Sequence, residues 1–422
     1  MKIVYLHQYF RTPQMSGGTR SFEFARRLVA RGHEVHVVTS DTEPGDAPLG
    51  SWRVSTEVGA TVHWAAVPYR GAMSYPDRIR AFFRFARVAA TRAASLPQDV
   101  VFATSTPLTI AIPGAYSARR RRVPMVLEVR DVWPEVPVAL GALRTPASRW
   151  AAHRLERWAY HRARHIIALS PGMAESIERR FPGLPVTVIP NGCDRSLFAD
   201  ADRFGTRLRA ATPWLGDRHL VLYAGALGYL NRVEYVVRMA AAAWADKPDI
   251  RFAIIGQGPE REHVRSLAEQ LGVLGRNLFL LDPLPKSEMA SYFGACDLAI
   301  STVRDIPELH ANSANKVFDG LAAGRPVAVN HEGWIADLIR ENDCGVVLPA
   351  GDPALAARLV AGFLHDSERT ARARRAAQRL AQTRFDRDVL FDQFEQILLD
   401  TARPVLPATR RPESAATPAK GR

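Results

Sequence analysis

Apolar residues in this 422-residue chain recur in two patterns. Short Val-, Ile- and Leu-rich runs at 2–6, 35–39, 62–67, 100–103, 125–129 and 165–168 read as strands covered on both faces. Longer segments with helical spacing separate them. The first opens at Gly17-Gly18 and runs to about Ala30, where Gly32 ends it. The alternation restarts after Leu197. Strands are predicted at 220–225, 251–255, 278–280, 298–300, 327–329 and 345–348, with a helix over 233–244 after the first of them. Such alternation predicts an α/β chain with parallel, doubly wound sheets. The restart predicts two such domains, 1–197 and 198–384, joined near 191–212. A last helix, about 385–402, is expected to cross back onto the first domain. Residues 403–422, rich in Pro, Ala and basic side chains, read as a disordered tail. Ligands of such sheets sit beyond the carboxyl ends of the strands, so two facing domains share one cleft.

The stretch 312–330, NSANKVFDGLAAGRPVAVN, is the most informative. Ser313 or Asn312 is expected to N-cap a helix whose apolar stripe is Val317, Phe318 and Leu321; Gly324 and Pro326 end it. Lys316 and Asp319 share one face, three residues apart. A helix start with a lysine in its first turn attracts anions, and Asp319 one turn on suits sugar hydroxyls. A diphosphate attached to a ribose fits both. The same spacing also serves a plain surface ion pair, so the neighbouring motifs matter.

Gly225-Ala226-Leu227-Gly228 ends one strand of the second domain, with room for a diphosphate against backbone amides; Gly256-Gln257-Gly258-Pro259 ends the next and can bracket a base. Together with Ser313, Asn315, Lys316 and Asp319 they make a coherent nucleotide pocket. Gly17-Gly18-Thr19-Arg20 is a weaker phosphate loop, and a plain strand–helix turn explains it equally. Glu128-Val129-Arg130-Asp131-Val132-Trp133-Pro134-Glu135 follows a buried strand; Asp131 or Glu135 is placed to meet acceptor hydroxyls or act as a base, unless Arg130 and Asp131 form a structural pair. The loop His331-Glu332-Gly333-Trp334 would face the same cleft. No metal-ligand spacing is present, and the Asp386-x-Asp388 pair reads as helix-capping charge.

Charge adds one further expectation. The net charge is +13, mostly arginine in the first half, with aromatic neighbours: Phe82, Phe83 and Phe85 among Arg78 to Arg92, then Arg119 to Arg122, then Trp150 and Trp158 among Arg149 to Arg164. This suits an anionic membrane surface, or a solvated face, better than nucleic acid, for which no module is recognisable. No apolar run reaches the ~18 residues of a membrane span. The first ten residues read as a strand rather than a secretion signal. Cys193, Cys296 and Cys344 suggest neither disulfides nor zinc, and the default location is cytoplasmic, at the inner face of the membrane.

These motifs resemble glycosyltransferase family 4, of GT-B fold, in the branch similar to bacterial N-acetyl-fucosamine transferases of surface-polysaccharide assembly. The resemblance rests on LHQYF (6–10), GGTRSFEFARRL (17–28), EVRDVWPE (128–135), ALSPGM (168–173), IPNGCD (189–194), YAGALG (223–228), IIGQGPE (254–260), NSANKVFDGLAAGRP (312–326) and GWIADLI (333–339). It implies retaining, metal-independent transfer from a nucleoside-diphosphate sugar, without a cofactor. The donor would sit in the second domain and the acceptor in the first. Asp319 matches the carboxylate that binds ribose, and Lys316 would meet the diphosphate beside Gly225 to Gly228. The chain departs from the family where many members have two glutamates eight residues apart: here stand Ala311 and Asp319. Arg and Lys of the phosphate turn are replaced by Ala226 and Asn231, and the first-domain histidine has no evident match. Glu308, His310 or Asn312 are candidates to replace the first glutamate.

The expected reaction is transfer of a sugar, by expectation a UDP-N-acetyl sugar, to a lipid-linked or polysaccharide acceptor. A nucleotide-sugar epimerase of the same fold and a non-catalytic partner subunit are the alternatives. The first needs proton-moving carboxylates; the second would bind no nucleotide.

Overall fold

Strands apolar on both faces need cover on both sides, and each of two sheets receives it. The computed structural model describes residues 1–15, 17–69, 73–131, 133–139 and 141–403. The tail expected from Arg403 therefore lies, beyond that residue, outside the described part.

Among the described residues the first sheet comprises β1 (Lys2–Leu6), β2 (Glu34–Asp41), β3 (Trp52–Glu57), β4 (Ala60–Ala66), β5 (Val100–Thr104), β6 (Met125–Val129), β7 (His165–Ala168) and β8 (Val186–Val188). Their order is β3-β4-β2-β1-β5-β6-β7-β8, parallel except for β3 against β4. The second sheet comprises β9 (His219–Ala224), β10 (Ile250–Ile255), β11 (Leu278–Leu281), β12 (Leu298–Ser301), β13 (Val327–Val329) and β14 (Gly345–Val347). It is wholly parallel, in the order β11-β10-β9-β12-β13-β14. Both sheets change winding direction beside a central strand, β1 in the first and β9 in the second. There the carboxyl ends open onto a crevice. The architecture is the α/β, two-domain Rossmann-like arrangement that the strand–helix alternation predicts.

Two strands were not foreseen. β3 is a half-exposed edge strand, and β8 has three partly exposed residues. Neither carries the apolar run that marks the central strands. The 191–212 stretch, expected as a linker, is largely helical: Arg195–Phe198 and Ala201–Ala211 pack onto the second domain. Phe198 meets Phe293 edge-on at 5.7 Å, and Arg325 Nε donates to Phe293 O at 3.0 Å while its Nη2 reaches Asp202.

The final helix, Arg387–Ala402, lies on the first domain although the chain reaches it from the second. Phe391, Phe394 and Leu398 are buried with Ile3, Tyr5, Phe24 and Phe102; the Phe394 ring is 4.5 Å from that of Phe24 and 4.8 Å from that of Phe102. A buried Phe stabilises by about 1.5–3 kcal/mol, so this helix straps the two domains together. Arg387 fixes the crossing point, donating to both Asp194 oxygens at 2.5 and 2.9 Å and to Gly192 O at 2.6 Å.

Candidate active-site cleft

Between the two domains lies a cleft of about 630 Å³. One wall comes from the loops after β1, β5 and β6: His7, Tyr9, Arg11, Gly17, Gly18, Thr106, Arg130 and Asp131. The other comes from the ends of β9, β10 and β11 and from 312–319. Most contributors sit at or just beyond a strand's carboxyl end; Met289 and Phe293 come from the helix Met289–Ala295.

The helix at 312–330 spans Asn315–Ala322. Its N-cap is Ala314, in extended backbone (φ −70°, ψ 127°), with no capping side chain. Neither Ser313 nor Asn312 caps it, because the N-cap position falls on Ala314; the carbonyls of the two residues instead hold the loop in tertiary bonds. Asn191 Nδ2 donates to Ser313 O at 2.6 Å, and Trp334 Nε1 donates to Asn312 O at 2.8 Å. Ser313 Oγ is left buried without a partner, against the cleft it lines. Ser170 also reaches this loop. Its hydroxyl caps the Pro171–Arg180 helix by accepting from Met173 N (3.2 Å) and donates to Ala311 O (2.7 Å). The motifs at 168–173 and 189–194 in the first domain thus carry the 311–315 loop of the second.

Lys316 reaches from the first turn across the Tyr223 ring, 4.8 Å from its centroid. Burial pushes its ammonium down to about 8, against a smaller upward pull from Asp319. Among the described residues no carboxylate lies within ion-pair distance of Lys316. Asp319 is taken by another partner, the buried Lys286. Burial raises the Asp319 carboxyl and Lys286 opposes the rise. A ribose would therefore meet an Asp319–Lys286 pair rather than a lone carboxylate. Lys286 was not anticipated from the sequence; its only signal is its position in Pro283-Leu284-Pro285-Lys286 just beyond β11.

The two glycine turns serve different purposes from those expected. Gly225, Ala226, Gly256 and Gln257 line the cleft, but Leu227 is fully buried, and Gly228, Gly258 and Pro259 lie outside the lining. The turns pack backbone to backbone: Gly225 N donates to Ile255 O and Leu227 N to Gln257 O, both at 2.9 Å. A Cβ at Gly256 would stand 1.9 Å from Gly225 O, and one at Gly258 2.3 Å from Leu227 O. Close approach of chain to chain, rather than chain to ligand, demands glycine at both. At Gly225 a Cβ would instead meet Lys316 Cε at 2.9 Å, so that glycine makes room for the lysine. Tyr223 Oη and Asn231 Nδ2 both donate to Ala226 O, at 2.8 and 2.9 Å, and hold the turn.

On the first-domain wall, Gly17 and Gly18 face the second domain. A Cβ on Gly18 would sit 2.6 Å from Asn315 Nδ2, so the two domains touch there. Arg20 of the same motif turns away from the cleft. Its guanidinium, fully buried, donates to Glu128 Oε1 (3.0 and 2.8 Å), Pro190 O (2.6 Å) and Ile189 O (3.0 Å). Glu128 Oε2 accepts from Thr104 Oγ1 at 2.6 Å. Asp131 lines the cleft and accepts from Thr106 Oγ1, so it does not pair with Arg130. Glu135 leaves the cleft to pair with Arg180, which also bonds Glu156 at 2.9 Å. Arg130 Nη1 approaches His7 Nε2 at 3.4 Å. Burial, then the Arg130 and Arg11 charges, hold His7 well below the usual imidazole range, so it is neutral at pH 7. His7, Tyr9 and Arg11 went unremarked as site residues because LHQYF reads as strand and turn.

The 331–334 loop turns away from the cleft: His331 Nδ1 bonds Glu332 O at 2.7 Å and Glu332 pairs with Arg340 at 2.6 Å. Of the three substitutes named for the missing glutamate, Asn312 lines the cleft; Glu308 and His310 do not. Two groups of possible metal ligands exist among the described residues, His219–Asp249–His365 and Glu135–His153–Glu156. Neither lines the cleft, and the wide separation of His219, Asp249 and His365 along the chain hid the first.

A family model described as "Glycosyl transferase 4-like domain" matches residues 17–192, and one described as "Glycosyl transferases group 1" matches 206–380. A D-inositol 3-phosphate glycosyltransferase of Thermobispora bispora is 27% identical over 44% of this chain and 44% of its own. A putative colanic acid biosynthesis glycosyl transferase of Escherichia coli K12 is 25% identical over 68% of this chain and 74% of its own. The chain spans about half the length of the first curated relatives it matches. Among solved structures, Anabaena HepE in complex with UDP and glucose superposes with a TM-score of 0.69 at 19% identity, covering 94% of this chain and 99% of that one.

Proposed function

Because this chain belongs to the family 4 glycosyltransferases of GT-B fold, we propose that its cleft moves a sugar from a nucleoside diphosphate to an acceptor hydroxyl, with retention and without a metal. The observation that carries this reading is Lys316: a half-buried cation with no carboxylate partner among the described residues, aimed at the Gly225–Ala226 turn. Family members commonly use two basic side chains here; this chain has Ala226 and Asn231, so one lysine answers the diphosphate charge. UDP is the preferred donor nucleotide, in keeping with the UDP and glucose held by the Anabaena neighbour. As the bond from the anomeric carbon to the diphosphate breaks, the acceptor oxygen bonds that carbon from the same face. The acceptor proton passes to the departing phosphate oxygen. Lys316, with the Ala226 amide of the same turn, stabilises the charge that develops, the Gly225 amide being held by Ile255 O.

The acceptor wall is cationic, with Arg11 and Arg130 beside neutral His7. That suits an anionic acceptor such as a polyprenyl-diphosphate-linked saccharide of cell-surface glycan assembly. The carboxylates of the cleft, Asp131 and Asp319, are each hydrogen-bonded, which argues against the epimerase alternative. Incubation with a panel of nucleotide sugars and lipid-linked acceptors tests the reading. Transfer with release of UDP is expected. Interconversion of the sugar without acceptor, or no nucleotide binding by calorimetry, would reject it.

Peripheral membrane contact is part of the same proposal. Trp150 is 65% exposed under Arg154, and Phe83 is 52% exposed on the Tyr75–Ser95 helix. No helix among the described residues is long and apolar enough to cross a membrane. Flotation with vesicles containing anionic lipid should retain the protein at low salt. Arg154→Ala should weaken retention several-fold, since each basic side chain near an anionic surface contributes roughly 1 kcal/mol, and Trp150→Ala should weaken it by removing an amphipathic ring suited to the headgroup level. Equal retention on neutral vesicles would sink the idea.

A further inference from the structure

The far end of the second sheet holds a cluster that the transfer reaction does not use. His219 begins β9 and Asp249 precedes β10, whereas the opposite ends of these strands, Ala224 and Ile255, line the cleft. Six-residue strands place the cluster roughly 18 Å from the diphosphate turn. His365 completes it as the last residue of the Pro353–His365 helix.

The hydrogen bonds around His365 fix its tautomer. Its Nδ1 lies 2.7 Å from Ala361 O, and a carbonyl oxygen only accepts, so Nδ1 carries a proton. In the neutral ring Nε2 is then a bare lone pair. It faces Asp249 Oδ2 at 2.9 Å, an ionised oxygen that also only accepts. Two acceptors this close repel unless a cation lies between them. A proton would serve this pair alone. A second imidazole stands beside it, however: the His219 and His365 rings are 5.1 Å apart, and one ligand atom from each of the three residues falls within 4.8 Å of the others. A metal ion would use all three.

The surroundings favour the same arrangement. His219 Nδ1 faces Asp297 Oδ2 at 3.9 Å, and that oxygen is anchored by Leu220 N (2.9 Å) and Arg209 (2.7 Å). An imidazole whose far nitrogen is held by a carbonyl or faces a carboxylate is the usual form of a metal-binding histidine. The nearby arginines spend their hydrogen bonds on carbonyls, although Arg251 also feels the Asp249 charge. Arg251 donates to Trp214 O (3.1 Å) and Pro248 O (2.5 Å), and Arg218 to Pro213 O (3.4 Å).

We propose that His219, Asp249 and His365 form a site for a divalent ion of the zinc class, with water completing the coordination. The ion clamps the end of the Pro353–His365 helix to the starts of β9 and β10, and acts structurally rather than in catalysis.

Tag-free, EDTA-stripped full-length protein titrated with Zn(II), and separately with Co(II), tests this. One equivalent is expected to bind with a micromolar or tighter dissociation constant, with the intensified Co(II) absorption of four-coordination. Saturating Zn(II) should raise Tm by several degrees. His365→Ala and His219→Gln should each weaken binding by more than about tenfold and abolish the Tm rise, while UDP affinity stays unchanged. Zinc affinity in both variants equal to the parent's, or a Co(II) spectrum that stays that of the hydrated ion, overturns the site. Neither result bears on the transfer reaction, which UDP binding reads independently.

Discussion

Lys316→Ala should lower kcat by about 10²–10³-fold and weaken UDP binding by about 10–100-fold, measured by turnover and by calorimetry. The reasoning is electrostatic. The ammonium lies in a partly desolvated crevice, with burial pushing it down to about 8 and the nearest carboxylate, Asp319, already paired with Lys286. A diphosphate arriving there gains a charge-assisted bond that water cannot replace. The pH dependence has a definite sign. Only the protonated amine attracts the phosphates, so affinity from this source is present below pH 8 and declines above it, by up to about tenfold per unit. Lys316→Ala should show none of this decline between pH 7 and 9. Folding runs the other way. The unfolded lysine holds its proton to about 10.4, so between pH 8 and that value the unfolded state binds more protons, and this group's contribution to stability rises with pH. Lys316→Met should therefore leave the ligand-free protein at least as stable as the parent. If UDP binds equally well to Lys316→Ala, the lysine is not the diphosphate partner.

Arg20→Met should destabilise the fold by about 3–5 kcal/mol, seen as a fall in Tm on the order of 10 °C or as insoluble expression. Arg20 and Glu128 are both fully buried, tie the first helix to β6, and reach the chain at Ile189 and Pro190. Without the guanidinium, the Glu128 carboxylate keeps, among the described residues, only the Thr104 hydroxyl as a side-chain donor. Removing both charges in Arg20→Met with Glu128→Leu should recover much of the loss, because a buried pair costs far less to replace than to break. UDP affinity of the folded fraction should be unaffected, since Arg20 does not line the cleft. A single Arg20→Met variant melting within a degree of the parent would refute this account.

Much of the fold was legible because its signals are local. β1, β5, β6, β9, β10 and β13 are mostly apolar runs too short for helices, with Glu128 and Arg251 among the charged exceptions, and the glycines and prolines that bound them mark strands covered on both faces. β3 and β8 escaped notice because an exposed edge needs no such pattern. The candidate site was legible in part for the same reason: Lys316, Gly225, Gly256 and Asn315 lie where strand ends and a helix start can be read directly. Lys286, His7 and Arg11 were missed because nothing near them in sequence distinguishes a cleft residue from an ordinary turn. Arg20 and Glu128 lie inside motifs read as site chemistry but pair with each other in the core, which depends on whether a charge faces water.

By itself, then, the sequence determined the alternation of elements, the two-domain plan and the helix that carries Lys316, since these follow from periodicity and backbone preference over a few residues. Tertiary structure alone decided which charges are paired. It gave Asp319 to Lys286 and left Lys316 without a carboxylate among the described residues, set glycine turn against glycine turn, and drew His219, Asp249 and His365 together from three distant segments. Ion pairing falls off over a few ångströms of space, and separation along the chain carries no record of that distance.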